Sequence, residues 1–123
     1  MATKAEVRAF LQANYDTEEI SEDHFKFIFT GDGRSQLVFA MVGDQKMEIH
    51  SPFAPMDAIT AQQAIDAADE KAFGIRKLGD LWWGFVNVVW IENVDPNEIQ
   101  DSLGVVAAAA DQVESKLGLG DDL

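Results

Sequence analysis

The sequence predicts one α+β domain over residues 1–123, with an antiparallel five-stranded sheet and elements in the order α-β-β-β-α-β-β-α. Three observations carry that expectation. The length of 123 residues is one domain's worth. Segments with period-two alternation are joined by short Gly/Asp turn signals, which link antiparallel neighbours. Three further segments carry helical spacing behind recognisable caps.

The first helix is expected over about residues 3–14, with Thr3 as N-cap and Glu6 completing a capping box. Val7, Phe10, Leu11 and Asn14 share one of its faces. The stretch Asp16-Thr17-Glu18-Glu19-Ile20-Ser21-Glu22-Asp23 contains no base and reads as a solvated loop. Phe25, Phe27 and Phe29 then alternate with His24, Lys26, Ile28 and Thr30, a strand pattern broken by Gly31-Asp32-Gly33. The returning strand, Arg34 to Val42, is apolar on both faces: Leu37, Phe39 and Met41 on one, Val38, Ala40 and Val42 on the other. After Gly43-Asp44-Gln45-Lys46, a third strand sets Met47, Ile49 and Phe53 against Glu48 and His50, and Pro52 and Pro55 are expected to end it.

Residues 57–70 return to helical spacing, with Thr60 and Gln63 as a capping box and Ala61, Ala64, Ile65 and Ala68 on one face. Phe73 to Leu78 reads as a strand, Gly79-Asp80 as a tight turn, and Leu81 to Ile91 as a long strand rich in Val and Trp. Asp95 as N-cap, Pro96 in the first turn and Glu98 mark the start of the last helix. Ile99, Leu103, Val106, Ala110, Val113 and Leu117 form its seam, and Gly118 ends it. Helices covering one face of an antiparallel sheet leave the other face to be polar or to meet something else.

Composition narrows the function classes. The chain has 22 acids against 9 bases, a net charge of −13. Such a field repels phosphate backbones and anionic lipid, so neither nucleic acid nor a membrane surface is expected as a partner. With no cysteine, disulfides, thiol catalysis and thiolate metal sites are excluded, and a reducing cytoplasm fits. The opening Met1-Ala2-Thr3-Lys4 runs into an amphipathic pattern rather than a secretory signal, and no apolar run approaches the length needed to span a bilayer.

No catalytic set stands out, and the chain is expected not to be an enzyme and to carry no cofactor. The acidic stretch matches no calcium-loop pattern. Gly31-Asp32-Gly33-Arg34 lacks the following helix that a phosphate nest needs. His24 and His50 lie on the polar phase of their strands, and no metal site is expected from them. Ser51 beside His50 is no triad, because neighbours on a strand point to opposite faces. The tryptophans say more. Trp82, Gly84, Val86, Val88 and Trp90 share one face of their strand, and Leu81, Trp83, Phe85, Asn87, Val89 and Ile91 share the other. One set belongs to the core. The other is a candidate partner-binding patch, since exposed aromatics in an acidic surround suit an interface. Asn87 points to its own face as the open one, so Trp83, Phe85 and Val89 are the first candidates, with Trp82 and Trp90 behind them.

Three passages carry a resemblance. They are Met47-Glu48-Ile49-His50-Ser51-Pro52-Phe53-Ala54-Pro55; the pair Lys71-Ala72-Phe73-Gly74-Ile75 and Gly79-Asp80-Leu81-Trp82; and the closing helix after Asp95-Pro96, where Ala107 to Ala110 run into Asp111-Gln112-Val113-Glu114. With the element order, the acidity and the missing catalytic set, they resemble the type III secretion chaperone-like fold, and within it the bacterial YbjN-domain proteins. That resemblance implies a homodimer of acidic subunits holding a client segment on apolar surface patches, or a regulatory partner in the stress and motility responses linked to the YbjN branch. It implies no active-site residue, and the tryptophan density of the last strand departs from it. The expected function is therefore a noncatalytic protein-binding module, chaperone-like or regulatory. The alternative is a small-ligand-sensing domain with a pocket between helix and sheet.

Overall fold

Among residues 3–31, 34–68 and 74–118, which the computed structural model describes, nine elements follow one another. They are helix α1 (Lys4–Asn14), strands β1 (Thr17–Ser21), β2 (His24–Gly31), β3 (Arg34–Val42) and β4 (Lys46–Pro55), helix α2 (Ala61–Ala68), strands β5 (Gly74–Leu78) and β6 (Trp82–Trp90), and helix α3 (Pro96–Lys116). The strands form one open antiparallel sheet in the spatial order β1-β2-β3-β4-β6-β5. The α+β class and the element order stand, with six strands instead of five. The turn residues Asp32 and Gly33 lie outside the described residues, but the strands flanking them pair as far as Gly31↔Arg34.

The added strand is β1, in the acid-rich stretch expected to be a solvated loop. Its own sequence lacks alternation, and partners hold it in place. It pairs with β2 through Thr17↔Phe27, Glu18↔Lys26 and Glu19↔Phe25. Thr17 Oγ1 donates to the Lys26 carbonyl at 2.9 Å, and Lys26 Nζ lies 3.2 Å from Glu18. From α1, Arg8 donates to both Glu19 carboxylate oxygens, at 2.6 and 3.1 Å, and to Asp23 at 2.7 Å. The Arg8 guanidinium also sits 5.1 Å above the centre of the Phe25 ring. Lys4 pairs with Asp23 on the same side. Asp23 takes φ +64° in the turn, and its N–H donates to Glu19 at 2.8 Å. The hydrogen bond from Arg8 holds the Glu19 carboxyl below its usual range, and that from Lys4 does the same for Asp23. Both carboxyls are depressed, so this clamp contributes above about pH 4 and is lost as pH falls further.

The caps form as their spacing predicts. Thr3 and Glu6 make a reciprocal capping box on α1, Thr60 and Gln63 make one on α2, and Asp95 accepts from the Glu98 N–H at 2.8 Å on α3. Gly118, at φ +73°, follows the end of α3. The helices pack on one face of the sheet. There Val7 and Leu11 of α1 and Ile99, Leu103, Val106, Ala110 and Val113 of α3 join Phe25, Phe27, Val38, Ala40, Met47, Ile49 and Phe85 in one buried core. The alanines let α3 lie close over β3, β4 and β6. In α2 the buried residue is Ala64, with Ala67 half-buried, whereas Ile65 is 51% exposed; the expected face is rotated. The Ala68 side chain, also expected on that face, lies outside the described residues.

Pro52 does not end its strand. β4 runs to Pro55, with a bulge between Pro52 and Ala54. A proline is tolerated here because the ladder with β3 has already stopped at Phe39↔His50, so no neighbour on that side needs the N–H donor that proline lacks. Side chains bridge the gap. Gln36 Nε2 donates to the Pro52 carbonyl at 2.7 Å and to Ser51 Oγ at 3.0 Å, and Ser51 Oγ donates to the Leu37 carbonyl at 2.6 Å. Opposite Pro52 stands Gly84, where an added Cβ would run into Leu78 and come within 3.0 Å of the Ser51 carbonyl. Gly84→Val is therefore expected to destabilise the fold by about 1–3 kcal/mol through overpacking. A urea midpoint unchanged from that of the parent chain would show that this close approach is not needed.

Candidate interaction surface

Among the described residues, no helix packs on the second face of the sheet. Its composition follows from the pairing. On β2 it holds His24, Lys26 and Ile28, on β3 Leu37, Phe39 and Met41, on β4 Glu48 and His50, and on β6 Val86, Val88 and Trp90. Cross-strand neighbours share a face, so Ile28↔Leu37, Met41↔Glu48↔Val88 and Phe39↔His50↔Val86 make adjoining rows. Ile28 is 61% exposed, Met41 43%, Val88 41% and Trp90 65%. Leu37, Phe39 and Val86 are half-buried among them. Large apolar side chains thus run from β2 to β6 with solvent above them.

This arrangement reverses the expected assignment of the β6 faces. Trp83, Phe85 and Val89 point toward the helices: Phe85 is fully buried, its ring centre 4.8 Å from that of Phe53 in a tilted contact, and Trp83 and Val89 are packed against the core. Asn87, taken as the polar mark of the open face, lies opposite Ile49 on the covered one. Trp82 and Trp90 are on the open face, Trp82 half-buried opposite Leu78 and Trp90 well exposed opposite Lys46. Trp90 also walls a surface hollow of about 1080 Å³, formed with Thr3 to Glu6, Asp44, Gln45, Glu92 and Asn93. That hollow lies at the sheet's end. Between helices and sheet, where a ligand pocket was the alternative, Phe25, Ile49, Leu103 and Val106 are fully buried members of one core.

Three polar side chains meet in the middle of the apolar surface. His50 Nε2 is 3.3 Å from Arg76 Nη1 and 3.6 Å from Glu48 Oε2, and Arg76 Nη1 is 3.5 Å from the same carboxylate oxygen. Arg76 comes from the edge strand β5, two strands away, where it stands opposite Gly84. His50 is 8% exposed. Burial, and after it the Arg76 guanidinium, pushes its pKa below the usual histidine value, against the opposing pull of Glu48. The His24 ring lies 5.7 Å from Phe39, with Nε2 buried and no hydrogen-bond partner. The two histidines share the outer face as expected, while Ser51 points inward to Gln36 and Leu37, away from His50. Among the described residues, no three His, Asp or Glu side chains are placed to hold a metal ion, and no helix is long and apolar enough to cross a membrane.

Sequence reasoning missed Ile28, Phe39 and Met41 as surface residues and the Glu48–His50–Arg76 cluster altogether. The signal was the double apolar face of β3, one half of which has to lie outside when helices cover a single side. No protein-family model matches the chain, and no curated protein does. The reversed faces make a sharp contrast between two substitutions. Trp83→Ser removes a core contact and is expected to lower unfolding free energy by about 2–4 kcal/mol. Trp90→Ser, at the surface, should stay within about 0.5 kcal/mol of the parent chain. Equal losses in urea titrations of the two variants would contradict this placement.

Proposed function

We propose that this chain is a noncatalytic protein-binding module whose working surface is the open face of the sheet. It acts as a homodimer through the part of that face around Val88, and the rest of the apolar surface holds a segment of a client or regulatory protein. The observation that carries the reading is the exposure of Ile28, Met41, Val88 and Trp90 on one face beside half-buried Leu37, Phe39 and Val86, with Glu48 and His50 between the β3 and β6 sets. Exposed large apolar side chains gathered on one face of a small domain mark a contact site. A rigid antiparallel sheet presents it without an ordering penalty, which favours docking.

The charge supports the same reading. A net −13 keeps a molecule with an apolar face from aggregating and favours clients with basic segments. The likeness to secretion chaperone-like and YbjN-domain proteins belongs to this proposal too. The expected elements occur in the expected order, and an uncovered apolar face is what a client-holding chaperone requires. A chain without cysteine suits action in the cytoplasm.

Light scattering over a concentration series tests the dimer. A mass near twice 13.5 kDa is expected at micromolar concentration. Val88→Lys places a cation within the patch, opposite Glu48, and should weaken association by about tenfold or more with the fold intact. A parent chain that stays monomeric into the hundreds of micromolar, or a Val88→Lys variant that dimerises as well as the parent, defeats the reading.

A further inference from the structure

Trp90 closes β6 and is 65% exposed, although the next residue, Ile91, is buried and donates its N–H to the Gln45 carbonyl at 3.0 Å. The backbone that carries the indole is thus fixed on both sides. In the β3–β4 turn the Gly43 N–H donates to the Lys46 carbonyl at 2.9 Å, and Lys4 of α1 reaches Asp44 of this turn at 4.0 Å. These contacts hold the walls of the hollow of about 1080 Å³ beside Trp90: the start of α1, the turn, and the residues after β6. Among the described residues, no aromatic ring and no cation is stacked on the indole. A preformed hollow therefore keeps in solvent the side chain whose face attracts cations best.

The charges around the hollow are unequal. α1 contributes Lys4 and Glu6, the turn contributes Asp44, and Glu92 follows β6. Lys46 stands opposite Trp90 in the ladder and borders an adjoining hollow. Both bases already have carboxylates: Lys4 has Asp23 besides Asp44, and Lys46 lies 3.9 Å from Glu48. The start of α1 is positive by its dipole and is met by Glu6, whose Oε1 accepts from the Thr3 N–H at 3.2 Å. Glu92 is exposed and has no basic partner among the described residues, and Asp44, its side chain 92% exposed, has Lys4 at 4.0 Å. Carboxylates thus remain in excess beside an open indole, in a chain of net charge −13.

We propose that the hollow beside Trp90 seats an arginine side chain of a client protein, its guanidinium lying on the indole with Asp44, Glu92 and Glu6 around it. The inference rests on the reading of the chain as a binding module for basic protein segments, and it says where such a segment places its cation. Charge complementarity selects the occupant. An apolar group would strip water from carboxylates and give them nothing in return, and an anion would meet them directly. A guanidinium satisfies both parts of the site: its plane stacks on the indole, and the N–H groups at its edge serve the carboxylates. Trp90 also belongs to the open face, two residues from Val88 on the same side of β6, so one segment lying on that face can reach the hollow. The fixed walls require no ordering on binding.

The test is a titration of the full chain with tetra-arginine amide, followed in nitrogen–proton correlation spectra. The Trp90 indole signal and the backbone signals of Asp44, Gln45, Glu92 and Asn93 should shift together to saturation. Trp90→Ser should raise the Kd about threefold or more, the worth of a cation–π contact at an exposed site. A smaller rise overturns the proposal, because the overall charge then holds the peptide. The double variant Asp44→Asn, Glu92→Gln should raise the Kd more than Asp57→Asn, Asp66→Asn, which removes the same charge near the opposite end of β4. Equal effects of the two pairs also overturn it. Tetra-citrulline amide, a neutral analogue of the probe, should leave the Trp90 signal unmoved, and equal binding of it rejects the cation site. Shifts around Phe39 and Val86 without Trp90 overturn this seat and leave the binding module standing. No shift anywhere at millimolar peptide overturns the seat together with the preference for basic clients.

Discussion

The pairing of β4 with β6 is the constraint on which the remaining architecture depends. Strands β1 to β4 are sequential neighbours, a meander that short turns can organise locally, and β5 with β6 is a hairpin. Among the described strands, the β4·β6 ladder joins the two, with α2 between them in sequence, so that β6 lies inside the sheet and β5 at its edge. The joint runs nearly the full length of both strands, from Lys46↔Trp90 to Pro55↔Trp82, and the Phe53–Phe85 ring contact lies within it. α3 then spans the seam, reaching β3, β4 and β6. The close fit of Gly84 beneath Leu78 and beside the Ser51 carbonyl belongs to the same joint.

That pairing also decides which face of β6 is buried, and here the limits of the sequence become physical. Elements with a single apolar face or a clear cap were legible: α1 with Thr3 and Glu6, α3 with Asp95 and its four-three seam, and β4, where Met47 and Ile49 contrast with Glu48 and His50. β6 is apolar on both faces, so alternation alone cannot choose between Trp83-Phe85-Val89 and Trp82-Val88-Trp90. The choice comes from β4, because Ser51↔Phe85 and Met47↔Val89 place those residues on the face where Met47 is buried. A non-local partner thus supplies information that the strand's own residues lack. Asn87 misled because a half-buried polar residue on the covered face is compatible with this pairing.

β1 failed to read as a strand for a different reason. Its order comes from charges distant in sequence: Arg8 on α1 reaches Glu19 and Asp23, and Lys4 reaches Asp23. A run of acids without a base reads as solvated, yet the bases lie one helix upstream. The clamp also covers an edge. Pinned by α1 and lined with Glu18 and Glu19, β1 is a poor template for a further strand, and β5, at the other edge, carries Arg76 and Lys77. Association through the edges is thereby discouraged on both sides, which directs any contact between copies toward the face of the sheet.

That face is unusual in combining exposed Ile28, Met41, Val88 and Trp90 with an almost fully buried histidine. In an ordinary solvent-facing sheet, His50 would be hydrated and Arg76 extended into water. Here Phe39 and Val86 flank the ring, and Gly84, opposite Arg76, offers no side chain to stand in the way, so the guanidinium can reach back over β6 to the ring and to Glu48. That glycine's open side faces outward, where Leu78 packs over it, and it clears the path by which an edge-strand cation reaches a central-strand histidine. The exposed apolar rows and the His50–Arg76–Glu48 cluster both follow from the same register that buried Phe85.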